Sequence, residues 1–188
     1  MLVLGLDHST TNTGWGLVKY SGSKDNMTTE YVEHGFVGRP KGLQYPLTIL
    51  YMGEQLQDLL ATKQPDYVAL EAPKDNRGFK ATQVLTELVG IFKYILMKAG
   101  YGFVEIPPST MKKIVTTRGW STKEEVAIAV ARILQKPFED LVPAIYYKTG
   151  QKAGEVKEYI LDGSDALGLA IAFVPYLKSH QGQLNFRP

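Results

Sequence analysis

Leu2-Val3-Leu4-Gly5-Leu6-Asp7-His8-Ser9-Thr10-Thr11-Asn12-Thr13-Gly14-Trp15-Gly16-Leu17-Val18-Lys19-Tyr20 opens the chain. Leu2 to Leu6 is an apolar run of strand length, and Asp7 ends it. His8 to Asn12 is a polar turn, and Thr13 to Tyr20 resumes as the second strand of a hairpin. A carboxylate at the end of a buried strand is costly unless something compensates its charge. The pattern recurs at Tyr67-Val68-Ala69-Leu70-Glu71. Asp162 and Asp165 then open the apolar segment 166–173.

Taken singly, each acid has an ordinary reading. An Asp after a strand is commonly a turn residue. Asp162-Gly163-Ser164-Asp165 has the spacing of a helix cap, and Asp165 suits the positive end of a helix dipole. Taken together, four acids at strand and helix ends repel one another if they converge. Divalent cations are the usual remedy, and hard oxygen ligands select Mg²⁺ or Mn²⁺, which hold phosphates. The expected chemistry is metal-dependent phosphoryl transfer at the carboxyl ends of a central sheet.

The rest of the chain supplies the sheet. Thr28 to Val37 alternates as a third strand, and 43–61 carries apolar residues at helical spacing. Strand 67–71, helix 80–98, strand 100–106, and helices 109–117 and 124–134 follow. Ser121-Thr122-Lys123-Glu124-Glu125 resembles a capping box. Residues 135–160 have no assignable pattern. A last helix runs from about Asp162 to Leu177, with small residues at Ala166, Gly168, Ala170 and Ala172 that would let it lie close to the sheet. Short turns make the first three strands antiparallel; helical crossovers make the last two parallel to the first. The expectation is a single α/β domain over 1–188, with a mixed five-stranded sheet, a core over 1–178 and a loosely held tail over 179–188.

Composition agrees with a globular protein: 188 residues, 44% hydrophobic, 21% charged, and a net charge of +2. That charge alone is too small to argue for a nucleic-acid partner. With no cysteine, a disulfide frame and a thiolate metal site are excluded. Met1 leads straight into a strand-like run without a basic leader, and no apolar stretch reaches membrane-spanning length. Cytoplasmic residence is the expectation, in a host cell if the chain is phage-encoded.

Gly5-Leu6-Asp7 before a small-residue turn and Gly14-Trp15-Gly16 resembles the first motif of the RuvC-type Holliday junction resolvases, of the RNase H-like superfamily. Glu71 matches the second acid of that family. Pro108-Ser109-Thr110-Met111-Lys112-Lys113, with Gly119 and Ser121-Thr122-Lys123, resembles its basic segment. Asp162-Gly163-Ser164-Asp165-Ala166-Leu167-Gly168-Leu169-Ala170 matches its closing motif. The chain departs from the family in the turn after Asp7, which is His-Ser-Thr-Thr-Asn, and at Lys74, where an aromatic is common; Phe79 or Tyr101 would have to replace it. The length of 135–160 also departs, which suits a phage or otherwise divergent member.

The resemblance implies an RNase H-like fold and a homodimer that nicks four-way DNA junctions symmetrically. It implies two Mg²⁺ ions, with Mn²⁺ able to substitute, and 5′-phosphate products. Asp7 would bridge the ions, Glu71 and Asp162 would each complete one coordination sphere, and Asp165 would bind or orient a ligand. Lys112 would neutralise charge on the phosphate. Arg77, Phe79, Lys80, Lys113, Arg118 and Lys123 would contact DNA, and Trp120 is placed to stack on a base. The apolar residues of helix 80–98 cover more than one side, which suits a subunit interface as well as packing within one subunit. A related nuclease acting on flaps or RNA–DNA hybrids is the nearest alternative. A sugar-kinase or actin-like ATPase, whose phosphate loop 7–14 also resembles, would need a second lobe.

Overall fold

The computed structural model describes residues 1–23, 26–73, 79–149, 151–179 and 184; the side chains of 79–82 are not among those described. β1 (Leu2–Asp7), β2 (Asn12–Ser23) and β3 (Asn26–Gly38) form an antiparallel meander. α1 (Leu47–Lys63) leads to β4 (Tyr67–Glu71), and α2 (Phe79–Lys98) leads to β5 (Gly102–Ile106). Both of these strands run parallel to β1, and the sheet order is β3-β2-β1-β4-β5. This is the mixed five-stranded sheet expected.

α3 (Pro108–Thr116), α4 (Lys123–Ile133) and the short α5 (Phe138–Leu141) follow. Then comes a feature that periodicity did not reveal. β6 (Ala144–Tyr146) and β7 (Val156–Tyr159) pair as a separate two-stranded antiparallel ribbon. α6 (Asp162–Ser179) ends the fold. Leu184 packs against the core, while the rest of the tail from residue 180 lies outside the described residues. α1 starts at Leu47 rather than 43, with Pro46 as its N-cap; the residue before a proline is disfavoured in the helical region. Among the described residues no helix is long and apolar enough to cross a membrane.

Strand alternation divides the core in two. Leu4, Leu6, Leu17, Val68, Leu70 and Phe103 face α1 and α2. Val3, Val18, Ala69, Val104 and Ile106 face α6 and the helices behind it. Asp7 is two residues from Gly5 and Glu71 two from Ala69, so both acids emerge on the α6 face. Gly5 is opposite Ala69 in the parallel pairing, which makes Asp7 and Glu71 neighbours at the same sheet edge.

α6 touches this face backbone to backbone. A Cβ on Gly5 would lie 1.9 Å from the carbonyl oxygen of Ala166, and one on Gly14 2.1 Å from that of Asp162. On Gly16 it would lie 2.7 Å from the Leu167 nitrogen. Gly5 and Gly16 are cross-strand partners, as are Asp7 and Gly14. The strands therefore present a bare strip on which a helix of small residues can lie. Tyr20 fastens the other end. Pro175 has no N–H to offer the Ile171 carbonyl one turn earlier. The Tyr20 hydroxyl donates to that carbonyl and to that of Ala170, the latter at 2.9 Å.

Gly5→Ala should therefore lever α6 away from the sheet. Overpacking costs about 1–3 kcal/mol, and here the obstacle is backbone that cannot rotate aside. The expected result is a lower urea midpoint together with loss of activity. A midpoint equal to wild type would mean that the contact is not as close as described.

Candidate active site

Three elements meet at the carboxyl edge of β1 and β4. β1 ends in Asp7, β4 in Glu71, and α6 begins with Asp162 and Asp165 one turn apart. Asp7 and Asp165 are buried, while Glu71 and Asp162 are partly exposed. All four acids singled out from the sequence stand on the α6 face of the sheet. Asp7 and Glu71 end adjacent parallel strands, and the Glu71 carboxylate adds to the proton affinity of Asp7.

Lys123 stands among them. Its Nζ lies 2.7 Å from Asp165 Oδ2, 3.8 Å from Asp7 Oδ2 and 3.8 Å from Asp162 Oδ1. The sequence suggested a contact to the DNA backbone for this residue; the fold puts its ammonium inside the acidic cluster. Its position is set locally. The Glu125 N–H donates to Thr122 Oγ1 at 3.2 Å, and the Thr122 N–H donates to Glu125 Oε2 at 2.9 Å. This is the capping box expected, and it makes Lys123 the first residue of α4.

The loop before it is tied to α3. Ser121 is buried and shares a 2.7 Å hydrogen bond with Thr116, and Lys112 Nζ donates to the Ser121 carbonyl. Among the described residues Lys112 forms no ion pair with the acids. Its bond to Ser121 ties α3 to the segment that presents Lys123. Arg118 pairs with Glu125 at 2.8 Å. Lys113 and Arg118 are exposed, and Trp120 is 82% exposed. Arg77 lies outside the described residues, and Phe79 and Lys80 open α2 with side chains that are not described.

The electrostatics follow from burial and crowding. Burial, then the hydrogen bond and charge of Glu71, hold Asp7 well above the ordinary carboxylate range. Burial pushes Asp165 up to about 6; Lys123 opposes the shift, while Asp7 and Asp162 add to it. Burial works against the charge of Lys123, yet Asp165, Asp7 and Asp162 outweigh it and keep the ammonium above the usual lysine value. One cation cannot satisfy this much negative charge. Asp165 Oδ1 is buried and accepts no hydrogen bond among the described residues. Such an atom is expensive unless an ion or water meets it.

The all-oxygen donor set therefore fits a hard divalent cation. Among the described residues no three acids are arranged to hold one ion together, and the Lys123 ammonium stands between Asp7, Asp162 and Asp165.

The comparisons with known proteins point the same way. The family model "Crossover junction endodeoxyribonuclease RuvC" matches residues 3–142. The chain belongs to the RuvC family. The RuvC of Syntrophomonas wolfei is 31% identical over 134 residues, 71% of this chain and 76% of that protein. The RuvC of Hyphomonas neptunium is 26% identical over 175 residues, 93% of this chain and 91% of that protein. Among solved structures, Thermus thermophilus RuvC superposes with a TM-score of 0.71 at 20% identity and covers 98% of both chains. The same protein in complex with a Holliday junction substrate gives 0.72 at 19% identity. The fowlpox virus resolvase bound to Holliday junction DNA gives 0.58 at 15% identity. These likenesses establish a RuvC-type fold and account for the ordered motifs.

A raised carboxylate has a defined pH signature. Asp165 in the folded protein titrates above an unfolded aspartate, so its stabilising contribution is complete below about pH 4. It is lost as pH rises through about 6. In metal-free protein the melting temperature of wild type minus that of Asp165→Asn should fall as pH increases across that window. A difference independent of pH between about 4 and 7 would contradict the crowding described.

Proposed function

We propose that this chain is a Mg²⁺-dependent endonuclease that resolves four-way DNA junctions by paired nicks, leaving 5′-phosphate and 3′-hydroxyl ends. The observation that carries this reading is the convergence of Asp7, Glu71, Asp162 and Asp165 from three elements at one sheet edge, in a member of the RuvC family. Asp7, with Glu71 beside it and Asp162 and Asp165 across from it, would hold the cations, and Mn²⁺ would substitute for Mg²⁺. Bound divalent ions would supply an activated water and charge neutralisation at the scissile phosphate.

The chain's own residues do the rest. Asp7, whose proton affinity burial and Glu71 raise, would have to be ionised to hold a cation. Lys123 keeps its positive charge throughout and, once cations occupy the acids, is free to turn its ammonium to a phosphate oxygen. Lys112, through the Ser121 carbonyl, holds the Lys123 segment in place. Lys113 and Arg118 remain exposed at the end of α3 and just beyond it, suited to contact the DNA backbone.

Asp7→Asn should abolish cleavage of a synthetic four-way junction in Mg²⁺ while binding stays equal or tightens, because one charge that repels phosphate is gone. Cleavage at the wild-type rate would remove Asp7 from the catalytic set. Cleavage by wild type of flaps or RNA–DNA hybrids in preference to the junction would favour the related-nuclease reading.

Two cuts placed symmetrically suit two sites related by a twofold axis. The face of α1 and α2 turned away from the sheet supports such a dimer. Leu50, Ile91, Tyr94 and Met97 are exposed there, and a cavity of about 700 Å³ opens between Tyr45, Ile49, Gly53, Ile91 and Tyr94. It lies on the opposite side of the sheet from the acids, so it is an interface candidate rather than a reaction cavity. Ile91→Glu with Tyr94→Glu should convert a dimer to a monomer by light scattering and reduce paired cutting to single nicks. A wild-type monomer, both free and on the junction, would overturn the paired-site mechanism.

A further inference from the structure

The ribbon of β6 and β7 is not used by anything described so far. It is a two-stranded sheet of three- and four-residue strands whose residues from Ile145 to Tyr159 are exposed wherever described. A lone two-stranded ribbon is marginal in water, yet this one exposes Ile145, Tyr146, Tyr147, Val156 and Tyr159. Its root is braced: the Tyr159 ring meets Phe138 edge-on at 5.4 Å, and the Ile160 N–H donates to the Pro143 carbonyl at 2.8 Å. Its far end is ordered by Tyr147, whose N–H donates to the Glu155 carbonyl and whose carbonyl accepts from Gly154, both at 3.0 Å. The family match ends at residue 142, just before the ribbon begins.

Its place is what gives it meaning. A cavity of about 390 Å³ has Lys123 and Asp162 of the acidic centre on one side and Ile145, Glu158 and Tyr159 of the ribbon on the other. The ribbon therefore projects directly from the rim of the site. The ribbon's described charges are Lys148, Lys152 and Lys157 against Glu155 and Glu158, with Lys148 and Lys152 towards its far end. Lys152 Nζ lies 6.0 Å above the Tyr147 ring, and among the described residues none of the three lysines forms an ion pair. Basic groups interleaved with exposed tyrosines suit a nucleic acid better than a protein surface. An antiparallel two-stranded ribbon is also one of the elements that the major groove of B-form DNA admits.

We propose that the ribbon 144–159 is a second DNA-binding element, which engages the duplex arm leaving the acidic centre through Lys148, Lys152 and Lys157. This rests on the junction-resolving function proposed above and extends its footprint beyond the cut.

The test uses the full chain and a labelled four-way junction in EDTA, so that no strand is cut. Wild type is compared with the triple variant Lys148→Ala/Lys152→Ala/Lys157→Ala, whose substitutions are all on the surface. Each lost phosphate contact lowers the slope of log Kd against log salt by about 0.9. The expected result is a slope shallower by about 2–3, with hydroxyl-radical protection lost from one arm outside the cut site and kept at the crossover. An unchanged slope and footprint would overturn the proposal and leave the resolvase reading intact. A variant that binds DNA normally but loses mass in light scattering would make the ribbon a contact between copies of the chain, which also overturns it. Failure of wild type to bind the junction at all would overturn both readings together.

Discussion

The backbone contact between α6 and the hairpin of β1 and β2 is the constraint on which the rest of this structure depends. Gly5, Gly14 and Gly16 strip the strand surface of side chains where the helix lies. Ala166 and Ala170 meet that surface from the other side. Close approach of this kind leaves no room for adjustment, since the obstacles to movement are main-chain atoms. Asp162 and Asp165 are delivered to Asp7 and Glu71 by that approach. A helix standing one side chain further off would leave the two acids of α6 apart from those of β1 and β4.

Gathering the acids creates a problem that the fold solves only in part. Buried carboxylates repel each other, and desolvation raises the proton affinity of Asp7 and Asp165 further. Lys123 relieves some of this by pairing with three of them. The remaining frustration, visible in the unsatisfied Asp165 Oδ1, is stored for a ligand. Lys123 is suited to this part because a lysine ammonium sits on a flexible four-carbon stem, while the capping box fixes its backbone. It neutralises the acids when they are alone and can yield its place without disturbing α4.

The two sides of the sheet divide the labour. The α6 face carries the charged centre, the basic loop after α3 and the ribbon. The opposite face carries the exposed apolar groups of α1 and α2. Separation of this sort allows two copies to join through one face while both reactive edges stay open. It also accounts for the roomier of the two cavities lying away from the acids. Apolar side chains make roomy grooves, whereas a cluster of acids around a lysine fills its own space.

Much of this was legible in the residues. A strand ending in an acid, repeated, and a helix beginning with two acids three apart are local patterns, and the periods of strand and helix determine the faces they occupy. Hairpin turns and helical crossovers likewise imply strand direction, so the mixed sheet could be read before it was seen. The resemblance to the RuvC-type motifs rested on the same residues. Three things were not legible. Lys112 and Lys123 both read as basic residues of one segment; the tie to the Ser121 carbonyl and the ion pairs to the acids, which distinguish them, depend on where α3 and α4 come to rest. The ribbon of β6 and β7 has strands too short to show a period and no buried face to impose one. What the sequence by itself determined was the identity, order and facing of the four acids, because these follow from backbone periodicity. What only the tertiary structure decided was which cation meets them and what projects beside them, because those depend on contacts between segments far apart in the chain.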